Sequence, residues 1–263
     1  MEFAKKLPAL FIGHGSPMNG IETNDFSLSW QALGAELPVP KAVLCVSAHW
    51  LTRGTFVTAM ENPRTIHDFG GFPQALFDVQ YPAPGSPEFA REISALAPSA
   101  KIELDEEWGL DHGTWTVVRH IYSLANIPVL QLSIDYAQPG RFHYELGKKL
   151  AGLRRLGYLV IASGNMVHNL RRVDFSHIDT PGFGFDWAHE INAVFKKLIL
   201  TRDHAPLMDY ESLGPSAKLA IPTPDHYYPL LYALGMQEDD DAVSIFNDVA
   251  VGGSLTMTSV RIG

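Results

Sequence analysis

Apolar residues gather along this chain into five short unbroken runs, at residues 9–13, 42–47, 128–134, 159–163 and 218–221. Runs that are continuous rather than alternating suit strands covered on both faces, so each predicts a buried strand. Between them the spacing turns helical. Ser86 caps a predicted helix with Pro87 at its first position, and Phe89, Ile93 and Leu96 form its inner stripe. Thr114 is read as the cap of a second helix, with Trp115, Val118, Ile121 and Tyr122 inward. Phe142, Leu146, Leu150 and Leu153 make a third stripe, with Gly157 shortly past its end. Ile191, Val194, Phe195 and Leu198 make a fourth. Strand and helix signals alternate, which predicts an α/β sheet with helices on both sides. Residues 242–262 differ: they read as two strands around Val251-Gly252-Gly253-Ser254, a hairpin signal. The sheet is therefore expected to be mixed and mostly parallel.

No repeat, low-complexity tract or long polar linker interrupts the chain, and a single domain over residues 1–263 is expected. Segment 61–85 stands apart, with Gly70, Gly71, Pro63, Pro73, Pro82, Pro84 and several aromatics but little periodicity. Loops of that length in a compact domain are usually functional lids or disordered, and the aromatics predict a packed lid.

Composition narrows the function. A 46% hydrophobic fraction supports a real core. The net charge of −9 leaves little basic surface to displace counterions, which counts against a nucleic-acid partner. The single cysteine, Cys45, lies inside an apolar run and reads as a small buried hydrophobe rather than a nucleophile. In the stretch from Met1 to Gly13 the apolar part is short and no small-residue cleavage site follows, unlike a signal peptide. No window approaches the length of a membrane span, and a cytoplasmic protein is expected.

Candidate chemistry lies in the eleven histidines. His14 and His49 follow the first two apolar runs closely, His168 follows the fourth by four residues past Gly164, and His226 follows Ile221 by five. His112, in Asp111-His112-Gly113-Thr114, sits in a predicted loop just before a helix. Ligands of open α/β sheets bind at the carboxyl ends of the strands, where these side chains converge. Neutral imidazole suits Zn²⁺, Fe²⁺ and related ions, so the pattern predicts a metal site there. Gly13, Gly15, Ala48, Gly113 and Gly164 beside these histidines allow close approach. His67, His120, His143, His177, His189 and His204 read as surface or satisfied core residues. The chain has no Gly-x-Ser-x-Gly elbow, no phosphate loop and no Gly-x-Gly-x-x-Gly fingerprint, and His189-Glu190 lacks the second histidine of a zincin helix.

Seven segments, in order, carry a family resemblance: Gly13-His14-Gly15-Ser16-Pro17, Ser47-Ala48-His49-Trp50, Thr65 to Pro73, Tyr81 to Gly85, Leu110 to Trp115, Ser163 to Leu170, and Thr223 to Pro229. Together they resemble the class III extradiol ring-cleavage dioxygenases, in the branch of the bacterial-type 4,5-DOPA extradiol dioxygenases. The resemblance implies His14, His49 and His226 as metal ligands. It implies His168 as the acid/base, close enough to be a fourth ligand, and His112 as a contact to substrate or oxygen. Better-known relatives use a carboxylate as third ligand for Fe²⁺, where this chain has His226. Three imidazoles and a water also suit Zn²⁺. One divalent metal per chain is therefore expected, with Fe²⁺ required for dioxygenase activity and Zn²⁺ open as the bound ion. The implied reaction is cleavage of a DOPA-like catechol by O₂ to a muconic semialdehyde-type product. Trp50, Trp115, Tyr227 and Tyr228 are candidates for an aromatic pocket wall, Tyr227 first because it adjoins a ligand. Two alternatives stand beside this reading: a zinc hydrolase using the same histidines, and a non-catalytic metal-binding relative. Monomer and small homo-oligomer are both open.

Overall fold

Alternate residues of the central strands divide their side chains between two cores, so the sheet is covered on both faces. The computed structural model describes residues 6–263; the first five residues, part of the Met1 to Gly13 stretch discussed above, lie outside the described residues. The elements in chain order are β1 (Ala9–Gly13), α1 (Asp25–Glu36), β2 (Ala42–Thr52), β3 (Phe56–Thr58), α2 (Gln74–Phe77), α3 (Pro87–Leu96), β4 (Glu103–Asp105), α4 (His112–Ile121) and β5 (Val129–Asp135). There follow α5 (Gly140–Leu150), β6 (Tyr158–Gly164), α6 (Asp186–Leu200), α7 (Ala205–Met208), α8 (Pro215–Ala220), α9 (Tyr228–Gly235), β7 (Val243–Phe246), β8 (Ala250–Val251), β9 (Leu255–Thr256) and β10 (Ser259–Ile262).

The main sheet runs β4-β3-β5-β2-β6-β1-β10-β7. Its centre, β5-β2-β6-β1, is parallel, while β10 is antiparallel to β1, and β7 to β10. This is the mixed, mostly parallel α/β domain expected. Phe11, Leu44, Leu130 and Val160 face one core with α3, α5, α6 and α9. Leu10, Cys45, Val129 and Ile161 face the other, with Trp30 of α1, Trp115 and Val118 of α4, and Leu76, Val79, Tyr81 and Ala83 from segment 61–85. That segment is thus packed, and the Tyr81 hydroxyl donates to the Tyr122 carbonyl at 2.8 Å. Among the described residues, no helix is long and apolar enough to cross a membrane.

Three expectations need correction. Residues 218–221 do not form a strand. Pro215 starts the α8 turn, and Ala217 and Ala220 are buried at a helical spacing of three. An apolar run of four does not distinguish the two structures. Thr114 is not the cap of α4. The Asp111 carboxylate accepts its N–H at 3.1 Å, so the helix begins at His112. Leu96 is exposed, and Ala97 is buried in its place. At the C-terminus β7 and β10 pair as expected, with the two-residue strands β8 and β9 forming a ribbon between them.

Arg154 fastens the chain ends. Its fully buried guanidinium donates to the Leu7, Met236 and Ile262 carbonyls at 2.8, 2.8 and 3.0 Å. It also meets both oxygens of Asp241, at 2.5 and 2.9 Å.

Candidate metal centre

Parallel strands end in register here, which brings their following residues together. Gly13 pairs with Gly164 at the carboxyl ends of β1 and β6, and Ser163 pairs with Ser47 midway along β2, which runs on past the expected end at residue 47 to Thr52. His14 follows β1, and its N–H donates to the Gly164 carbonyl at 3.1 Å. His49 lies where the β2–β5 register shifts, between Val46 and Leu51. Such irregularities re-aim side chains beside functional sites. His168 follows β6, tied by its N–H to the Ala220 carbonyl at 2.9 Å. His226 arrives from the loop between α8 and α9, and its carbonyl accepts the Asn165 N–H at 2.9 Å. Two glycines make this approach feasible. A Cβ on Gly164 would overlap the His226 carbonyl, and one on Gly113 would lie 2.6 Å from Ser47 Oγ and 2.8 Å from the His49 ring.

The five histidines form one cluster. Nε2 of His14 and Nε2 of His49 are 3.2 Å apart. One ring nitrogen from each of His14, His49 and His112 lies within 4.8 Å of the others. The His226 ring centre is 4.9 Å from His49 and 5.3 Å from His14. The His168 ring stacks on His226 at 3.6 Å, nearly parallel.

Partners at Nδ1 fix which nitrogen faces inward. Ser163 Oγ spends its proton on the Gly113 carbonyl at 2.5 Å, so it accepts from His14 Nδ1 at 3.0 Å. Nε2 of His14 then carries the lone pair. Asp225 accepts from His226 Nδ1 at 2.5 Å, with the same result. Carboxylates and hydroxyls in this position orient metal-bound histidines in general. Burial, reinforced by the neighbouring imidazoles, holds His14 and His226 well below the usual histidine range. The same causes push His49 down to about 3, against an opposing pull from Asp68. Burial likewise lowers His168 to about 4. All four rings are therefore neutral near pH 7, as metal ligation requires. The donor set fits a divalent cation. The Nε2 lone pair of His14 faces Nε2 of His49 at 3.2 Å, a spacing that matches two metal–nitrogen bonds of about 2.0–2.1 Å.

Behind the rings lies a network that sequence reasoning missed. Asp111 is fully buried, and burial, with Asp68 nearby, pushes its carboxyl above the usual range. Its oxygens accept from Ser47 Oγ at 2.7 Å, Gln131 Nε2 at 2.6 Å and the Thr114 N–H at 3.1 Å. Asp68, in segment 61–85, faces both His49 and His112. Adjacency to His226 was the only sequence signal for Asp225. Asp68 lies inside the family-like Thr65 to Pro73 segment, where nothing singles it out.

The aromatic residues expected to wall a pocket are engaged in packing. Trp50 stacks on Trp108 at 5.7 Å. The Trp115 indole N–H donates to the Ile66 carbonyl at 2.9 Å, and its ring is one layer behind Phe69. Tyr227 packs on Phe195 and Tyr210, and its hydroxyl donates to the Leu207 carbonyl at 3.0 Å. Tyr228 packs at a tilt on His143, ring centres 4.3 Å apart. Half-buried Phe69 is the aromatic side chain that reaches the cluster, edge-on to His112 at 5.5 Å. Most of the remaining histidines have other partners: His67 the Val79 carbonyl, His120 the Asn19 carbonyl, His143 the Tyr232 hydroxyl, His204 the Tyr144 hydroxyl and His177 Asp174. His189 is exposed on α6.

A cluster of histidines beside the carboxyl ends of β1 and β6, three of them with ring nitrogens within 4.8 Å of one another, makes a single metal site in one α/β domain. A family model of the catalytic LigB subunit of aromatic ring-opening dioxygenase matches residues 9–259, and the chain belongs to that family. It is a ring-cleaving dioxygenase of the extradiol kind. The chain is 48% identical over 262 residues to the 4,5-DOPA dioxygenase extradiol of Escherichia coli K12, which covers 98% of this chain and 95% of that protein. It is 34% identical to the 4,5-DOPA dioxygenase extradiol of Beta vulgaris, over 95% of this chain and 94% of that one. A crystal structure of an uncharacterized Escherichia coli K12 protein matches with a TM-score of 0.85 at 43% identity, over 98% of this chain and all of that one.

Proposed function

We propose that this enzyme cleaves a DOPA-like catechol next to its diol, breaking one ring C–C bond and placing both atoms of O₂ in a muconic semialdehyde-type product. His14, His49 and His226 would hold one divalent iron, with His168 close enough to join them. Bound iron supplies a path for electrons between catechol and O₂ that Zn²⁺, without redox chemistry, does not. The observation that carries this reading is the 3.2 Å approach of two imidazole nitrogens within a wider cluster. The names of the relatives support the substrate class.

The chain's own residues divide the remaining work. His112 is the first residue of α4. A helix N-terminus favours negative charge over a further cation. His112 also lies within ligating reach of His14 and His49, but its place at the helix N-terminus suits it to contact a phenolate or oxygen, and His226, with its Nδ1 held by Asp225, is the third ligand in this reading. Among the described residues no side chain pairs with either ring nitrogen of His168, whereas His14, His49, His112 and His226 each face a partner. An uncommitted imidazole beside the centre is free to take and return a proton. Phe69 would flank the substrate ring. With a net charge of −9, a small molecule and O₂ are the proposed partners, in the cytoplasm.

The test is anaerobic loading with Fe²⁺, then O₂ uptake with L-DOPA and a panel of catechols, beside a Zn²⁺-loaded sample. Uptake with iron alone and a yellow ring-opened product are expected. No uptake with any catechol despite one bound iron would overturn the proposal and favour zinc-dependent hydrolysis. His168→Ala is expected to lose roughly 10²–10⁴-fold in turnover while its iron affinity, read by chelator competition, stays within a few-fold of wild type. Wild-type rates in that variant would remove His168 from proton transfer.

A further inference from the structure

His14 and His226 have their Nδ1 partners at close hand, Ser163 in the sheet and Asp225 next in the chain, whereas among the described residues the Nδ1 atoms of His49 and His112 face only Asp68. Its Oδ1 accepts the His112 backbone N–H at 2.8 Å. Its Oδ2 lies 3.0 Å from His112 Nδ1 and 3.3 Å from His49 Nδ1. Both ring nitrogens approach Oδ2 obliquely, yet His112 Nδ1 is buried and neither Nδ1 has another side-chain partner among the described residues. The two rings lie 3.8 Å apart, centre to centre. One carboxylate therefore faces two closely approaching, mutually tilted imidazoles and the backbone that carries one of them.

We infer that Asp68 is a positioning residue whose single carboxylate sets the tautomers of both His49 and His112, and so seats segment 61–85 as a working part of the metal centre. This rests on the reading of the cluster as a metal site. An ionised carboxylate only accepts hydrogen bonds, so both imidazoles present Nδ1–H to it. Both Nε2 lone pairs are then directed inward, as Ser163 and Asp225 do for His14 and His226. Asp68 differs from those two in its origin. It comes from an irregular segment packed over the site rather than from the sheet or from the histidine's own loop. Asparagine has the same size but cannot replace it, because both oxygens accept. With its oxygen on the His112 N–H, an amide turns its NH₂ toward the two Nδ1 atoms and demands Nε2–H tautomers. With the amide reversed, NH₂ opposes the backbone N–H.

The experiment uses the full chain labelled with ¹⁵N-histidine, comparing wild type, Asp68→Asn and Asp225→Asn. NMR reads the tautomers, and Co²⁺ titration against a chelator reads affinity. Wild type is expected to show Nδ1–H at His49 and His112. Asp68→Asn should move at least one of them to Nε2–H and weaken Co²⁺ binding by roughly 10–100-fold, with unchanged far-UV circular dichroism. Asp225→Asn should alter His226 and leave His49 and His112 as they are. Nε2–H at both His49 and His112 in wild type would overturn the inference, even if the Asp68 variant failed to fold. So would wild-type tautomers and affinity in Asp68→Asn. If wild type bound no metal at all, the metal reading would fall, while the tautomers would still decide the role of Asp68.

Discussion

His14→Ala abolishes stoichiometric metal binding. The expectation follows from how completely that ring is committed. Its Nδ1 is held by Ser163 at 3.0 Å, its Nε2 lies 3.2 Å from that of His49, and its ring is 1% exposed. The loss should exceed the roughly 10–100-fold that removal of an outer-shell partner costs. Metal content after dialysis and a Co²⁺ titration, with circular dichroism to confirm folding, measure it. A variant that still holds one metal at wild-type affinity would exclude His14 from the site.

A second large effect lies far from the metal. Arg154→Ala leaves the Asp241 carboxylate buried without its bidentate partner and strips a donor from three carbonyls. Lys6 remains near Asp241 at 2.8 Å, on a more exposed side chain. Removing one partner of a buried pair costs about 3–5 kcal/mol, a fall in Tm of roughly 6–20 °C for a chain of this size. The acid limb of stability should move as well. Burial alone would raise the Asp241 carboxyl, but hydrogen bonds from Arg154 and Lys6 outweigh it and hold it well below the usual range. A depressed carboxylate stabilises the fold above its ordinary pKa, and that contribution is lost as the pH falls through the folded value. In the variant the loss should begin at higher pH. Thermal melts across the acid range would show it, and a Tm within about 2 °C of wild type would contradict the assignment of Arg154 as the fastener of the chain ends.

His14 and His49 were legible in the sequence because each closely follows an apolar run that does become a central strand. His226 was read for the wrong structural reason. The run before it is the helix α8, and the ring is placed by backbone contact with Gly164. Strands β3 and β4 escaped notice because each has three residues, and Glu103 and Leu104 are exposed. Helix α9 escaped because it is buried all round and leaves no amphipathic stripe to detect. The supporting carboxylates were hidden for another reason. Asp68 and Asp111 act across 44 and 64 residues of chain, on His112 and Ser47 respectively. No local period reports a pairing of that range.

Asp111 also fixes how the site can move. Its carboxylate gathers Ser47 of β2, Gln131 of β5 and the first turn of α4 into one block, so His112 rides with the sheet. Asp68 rides instead with an irregular segment tied to that block and to α4 by the Thr65–Leu110 bridge, the Trp115 indole on the Ile66 carbonyl and its own carboxylate on the His112 N–H. A local opening there withdraws one carboxylate from two imidazoles while the Asp111 block stays whole. The centre should therefore lose order from the His49–His112 side first, in a fluctuation that leaves the fold intact and is visible as faster amide exchange across residues 66–72 than at Thr114.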